Sequence, residues 1–140
     1  MEDWDYQLRI NLSESASLNY RNSKQDSSVE ELSNIIKKHN ASLKCQYDAF
    51  QDYVNEAESM GVDEYHLYKW TKATIEDPIK KEKYLKSFTI YIKGKHVYNK
   101  EAADLLENDL KEIEHLDYIL GISKIDTNPK NNPQVPEKYK

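Results

Sequence analysis

Cysteine occurs once, at Cys45, so no disulfide can form within the chain, and this residue reads as a small buried apolar group in a reducing compartment. Glycine occurs three times, at Gly61, Gly94 and Gly121, never clustered, which excludes a glycine-rich phosphate loop. The four histidines, His39, His66, His96 and His115, have no metal-ligand spacing and no cysteine pair to complete a site. No stretch approaches the ~20 apolar residues of a membrane span. The acidic start MEDWDYQLRI has no apolar core of a signal peptide. These absences lead us to expect a cytoplasmic, non-enzymatic protein with no cofactor and no metal.

What is present fits one domain. The 140 residues are enough for one core, although only 38% are hydrophobic and the mean hydropathy is −0.93. Eleven tyrosines supply much of the missing apolar volume. Each buries a ring while keeping a polar tip, which suits core rims and recognition surfaces alike.

Residues 4–12, WDYQLRINL, place Trp4, Tyr6, Leu8, Ile10 and Leu12 in strict alternation with polar residues, the pattern of a strand with one wet face. Ala16, Leu18 and Tyr20 continue a similar alternation, as a second strand or one long bent strand. Ser28 and Glu31 have capping-box spacing before the apolar stripe Val29, Leu32, Ile35, Ile36 and Leu43. Two readings follow. The favoured one is a long helix to Gly61; in the other, the helix stops near His39-Asn40 and SLKCQY forms a short strand before a second helix capped by Asp48. Asp63 can cap a helix over 64–76, and Asp77-Pro78 opens a short helix to about Lys86. Phe88, Ile90 and Ile92 alternate, and KGK at 93–95 turns the chain back through His96 to Tyr98, a β-hairpin. Asn99 caps a last helix closed by Gly121, and residues 123–140 read as a flexible tail rich in Pro, Asn and Lys. The expected fold is α+β: a small antiparallel sheet from an N-terminal strand or hairpin and a C-terminal hairpin, packed against three to four helices on one face, with a single domain over 1–122.

Charge is segregated along the chain. Residues 1–68 have a net charge of −7, residues 69–100 of +6, residues 101–117 of −6 and residues 118–140 of +2. Asp48, Asp52 and Glu56 have i, i+4 spacing, with Asp63 and Glu64 beyond them and Tyr53 and Tyr65 alongside. Glu101, Asp104 and Glu107 start the last helix, whose Asp109 projects into the apolar sector and needs a partner such as Arg9 or a lysine. Spaced carboxylates with tyrosines match what a surface needs to dock on a lysine- and arginine-lined cleft. The expectation is a protein-binding inhibitor covering a basic surface on a partner such as a nuclease, in the manner of an immunity or anti-defence protein of a phage or mobile element. The alternative is a nucleic-acid-binding accessory protein using Lys93, Lys95, Tyr91 and Tyr98, because cations neutralise phosphates and aromatic rings stack on bases. The absence of arginine from that basic block weakens the alternative.

Overall fold

A computed structural model describes residues 4–22, 27–128, 130 and 136–139. Its sheet has four antiparallel strands: β1 (Tyr6–Leu12), β2 (Ala41–Cys45), β3 (Ser87–Ile92) and β4 (Ile119–Asp126), in the order β2-β3-β1-β4. Six helices accompany it among the described residues: α1 (Glu14–Arg21), α2 (Glu30–Lys38), α3 (Gln46–Met60), α4 (Tyr68–Glu76), α5 (Pro78–Leu85) and α6 (Lys100–Glu112). The α+β class is as expected, but there are more helices than the three to four foreseen and they cover both faces of the sheet, not one.

The alternation of β1 sets the sheet's two faces. Leu8, Ile10 and Leu12 point inward and are fully buried with Phe88 and Ile90 of β3. Leu32 and Ile36 of α2 and Ala103, Leu106 and Leu110 of α6 close this core from one side. Burying each of these Leu, Ile and Phe side chains contributes roughly 1.5–3 kcal/mol. Tyr98 completes the core's rim: its hydroxyl accepts from Leu8 N–H at 2.8 Å and donates to the Ile90 carbonyl at 3.0 Å, joining β1 to β3 where their ladder starts. Burial pushes this phenol up to about 12.

Several local expectations are corrected. Residues 16–20 belong to helix α1, not a strand. Ser13 caps it by accepting from Ala16 N–H at 3.3 Å, and Ala16 and Tyr20 share a face while Leu18 is exposed. A spacing of two over so few residues also satisfies the i, i+4 spacing of a helix. The long helix to Gly61 is interrupted. Asn40 adopts a left-handed φ of 52°, and Ala41–Cys45 then pairs with β3 and covers an edge that would otherwise stay open. The helix resumes at Gln46 with Asp48 in its first turn.

Helix α2 starts at Glu30, after a 3-10 turn that contains Ser28. Its Leu32 N–H donates to the Tyr118 hydroxyl at 3.2 Å, a cap supplied from a distant part of the chain. Asp63 sits in a separate 3-10 turn, and α4 begins only at Tyr68. Asp77 and Asn99 cap α5 and α6 as expected.

The hairpin after β3 is reduced to its turn, closed by one Ile92–Lys95 backbone pair. Lys93 and Gly94, with φ of 50° and 79°, turn the chain, and Ile92 bridges Lys95. Beyond that pair the return segment leaves β3, whose edges β1 and β2 take from Ile90 back toward Ser87, and Tyr98 instead bridges Tyr6. Helix α6 stops at Glu112, and Gly121 lies in β4 opposite Asn11. Residues 123–126 are therefore sheet, not tail, because β1 offers a second edge that β4 pairs along. Residues 129, 131–135 and 140 of that expected tail lie outside the described residues.

Candidate functional site

The acidic residues singled out from sequence fall into two groups, one on α3 and the turn after it, the other on α6. They are not brought together, since α6 packs on the inner face of the sheet and α3 associates with β2, β3, α4 and α5. Most are already neutralised. Asp48 receives a two-pronged contact from Arg21, Nε and Nη2 each at 2.9 Å, which holds its carboxyl below the usual range. Asp52 pairs with Lys44 at 2.8 Å. Asp104 pairs with Lys100 at 3.0 Å and with Lys124, which also reaches Glu107 at 3.6 Å. Asp109 finds His39 Nε2 at 2.7 Å and Lys38 at 3.0 Å, so its partner is a histidine with a lysine and not Arg9. Those two neighbours lower its carboxyl, the His39 hydrogen bond foremost.

Glu56, Asp63, Glu64 and Glu101 differ. They are exposed and make no ion pair among the described residues. Glu56 and Glu64 lie beside a tyrosine pair, with Asp63 in the turn next to it. The Tyr53 and Tyr65 rings meet edge-on with centroids 5.5 Å apart, and the Tyr53 hydroxyl accepts from Leu67 N–H at 3.2 Å. Desolvation and the nearby Glu56 raise the Tyr65 phenol above its ordinary value. The result is an aromatic pair held by one hydrogen bond and fringed, at the C-terminal end of α3, by carboxylates with no ion pair among the described residues.

The basic turn is split in the fold. Lys93 and Lys95 are exposed, Tyr91 is half-buried with its ring near His96, and Tyr98 is only 7% exposed with its hydroxyl committed to the sheet. Tyr98 therefore has no free ring face to offer a base. Cys45 is buried, its thiol pushed up by desolvation, which disfavours the reactive thiolate.

A feature absent from the sequence reading is a cleft of about 530 Å³ on the outer face of the sheet. Gln7, Arg9 and Ile125 form its floor, and Phe50, Trp70 and Tyr84, from α3, α4 and α5, form its opposite wall. The three helices hold together through Val54, Ala57 and Ile75, all buried outside the main core, and through a Phe50–Tyr84 edge contact with centroids 5.1 Å apart. Arg9 Nε donates to Gln7 Oε1 at 2.6 Å, and Gln7 Nε2 donates to the His96 carbonyl at 3.0 Å. Arg9 makes no ion pair with a carboxylate among the described residues, and desolvation lowers its pKa. Asp126 lies at the cleft's edge, where one of its oxygens accepts from Asn128 N–H at 3.0 Å. The only sequence signal for this site is an arginine, one of two in the chain, on the polar side of an alternating strand.

Among the described residues no group of His, Cys, Asp and Glu could hold a metal ion, and no helix is long and apolar enough to cross a membrane. Comparison with protein families, with curated proteins and with solved structures finds no match for this chain.

Proposed function

We propose that the chain is a non-enzymatic protein-binding neutraliser that covers a basic surface on a nucleic-acid-processing enzyme, with the end of α3 and the following turn as its contact face. The reading is carried by one contrast. Asp48, Asp52, Asp104 and Glu107 are matched by cations of the chain itself, whereas Glu56, Asp63 and Glu64 are exposed and make no ion pair among the described residues, with Glu56 and Glu64 beside the Tyr53–Tyr65 pair and Asp63 in the same turn. Unpaired carboxylates steer a basic partner during encounter, and a tyrosine held by its neighbour supplies contact area at low entropic cost. A target inside the cell, as for an immunity or anti-defence protein of a phage or mobile element, suits a chain whose single thiol is buried and unpaired.

The nucleic-acid reading has less support, since Tyr98 belongs to the core and leaves Lys93 and Lys95 beside the half-buried Tyr91 and its neighbour His96.

The test is affinity capture from host lysate treated with nuclease, using the wild type and an E56K/E64K variant. The expected result is a stoichiometric protein partner whose association rate falls about tenfold or more in the variant at low salt. Equal capture by both proteins would remove this face from the proposal, and loss of all capture on nuclease treatment would favour nucleic acid.

A further inference from the structure

Arginine stays charged under all ordinary conditions, so a guanidinium drawn out of water needs an anion nearby. Arg21 has one in Asp48, whereas Arg9, half-buried on the floor of the outer cleft, has Gln7 and the nearby Tyr84 hydroxyl beside it but no carboxylate partner among the described residues. The Gln7 contact uses Nε alone. The two terminal nitrogens, the pair that grips a carboxylate or phosphate side by side, have no hydrogen-bond partner among the described residues. The relay from the His96 carbonyl through Gln7 to Nε holds the guanidinium in place before any ligand arrives.

The rest of the cleft narrows the chemistry. Its volume lies within the range of small-molecule sites, about 300–1,000 Å³. Phe50, Trp70 and Tyr84 offer flat apolar surface facing a floor with one cation. The Thr71 hydroxyl and the Trp70 indole N–H make no hydrogen bond with described residues and are available to polar atoms of a guest.

We propose that this cleft binds a small organic anion with an aromatic ring, its carboxylate or phosphate held by the terminal nitrogens of Arg9 and its ring against Trp70 and Tyr84. This site is separate from the acidic face of α3 and does not depend on it. Asp126 at the rim sets a limit: a ligand whose charge extended toward β4 would meet a carboxylate, which favours one compact anionic group placed at Arg9.

The experiment is isothermal titration of the full chain with paired probes. Indole-3-acetate and adenosine monophosphate carry both ring and charge, indole-3-acetamide and adenosine keep the ring without the charge, and acetate and inorganic phosphate keep the charge without the ring. At least one ring-bearing anion should bind about tenfold or more tighter than its neutral and its ringless counterparts. Whether the carboxylate or the phosphate probe does so identifies the anionic group. Arg9→Met should abolish the preference for the charged probe while leaving the circular dichroism and melting temperature unchanged. Arg9→Lys, which keeps the charge but not the fork, should retain part of it. Binding of no probe, equal binding of charged and neutral probes, equal binding of ringless anions, or an unchanged preference in Arg9→Met would each overturn the proposal.

Discussion

Leu8, Ile10 and Leu12 of β1 are fully buried on one side of the sheet, while Gln7 and Arg9, their neighbours on the same strand, look into an open cleft on the other. The inner side is closed because its helices bring apolar stripes: Leu32 and Ile36 on α2, and Ala103, Leu106 and Leu110 on α6. On the outer side α3, α4 and α5 spend their best apolar residues, Val54, Ala57 and Ile75, on one another. Helix α3 meets the sheet through polar contacts, Ser87 to Gln46 at 2.5 Å and Lys44 to Asp52 at 2.8 Å, and through Tyr47 against the core, while the space above Arg9 stays open. One strand thus has two characters: its apolar half holds the domain together, and its polar half faces the cleft.

Substitutions along this strand and its surroundings test that division. The largest effect is expected for Leu8→Ala, which opens a cavity in the inner core and should cost about 2–5 kcal/mol in denaturant unfolding. A loss below about 1 kcal/mol would mean that the inner face is not the main source of stability. Next is Tyr98→Phe, which leaves Leu8 N–H and the Ile90 carbonyl without their buried partner and should cost about 1–3 kcal/mol by the same measurement.

The Arg21–Asp48 pair links α1 to α3 and gives a smaller, pH-dependent effect. Arg21 depresses the folded Asp48 carboxyl below its ordinary value of 3.8, so its contribution is present above that value and is lost as pH falls through the lower folded value. Unfolding of Asp48→Asn followed by pH should accordingly show a shallower loss of stability below about pH 4 than the wild type, with the two curves parallel near neutrality. A wild-type acid limb as shallow as the variant's would show that the pair adds nothing.

The smallest effect is expected for Arg9→Met. Removing a desolvated, unmatched charge should leave stability within about 0.5 kcal/mol of the wild type, one residue from a position where truncation is severe. A large loss would mean that Arg9 serves the fold and not a guest.

Elements with local signals were legible in the sequence. The alternation of Trp4 to Leu12 marked β1, and Asp77-Pro78 and Asn99 marked two helix starts, because a cap and its helix lie within a few residues of each other. The failures share a different cause. Residues 41–45 carry only a weak strand pattern and become β2 by pairing with β3, far along the chain. Residues 119–126 become β4 because β1 has a free edge, and Leu32 is capped by Tyr118. The acidic residues were legible as a set, but their neutralisation was not, since Arg21 meets Asp48 and Lys124 meets Asp104 only once the chain is folded.

The sequence by itself determined the α+β class, the two-sided character of β1 and the excess of acid over base, because these follow from residue type and from periods of two and 3.6 residues. Tertiary structure alone decided which carboxylates find a cation among the described residues, that Tyr98 is a core residue and that Arg9 stands in a cleft with no ion-pair partner among those residues. Each of those depends on which distant segment arrives beside a given side chain, and no local period carries that information.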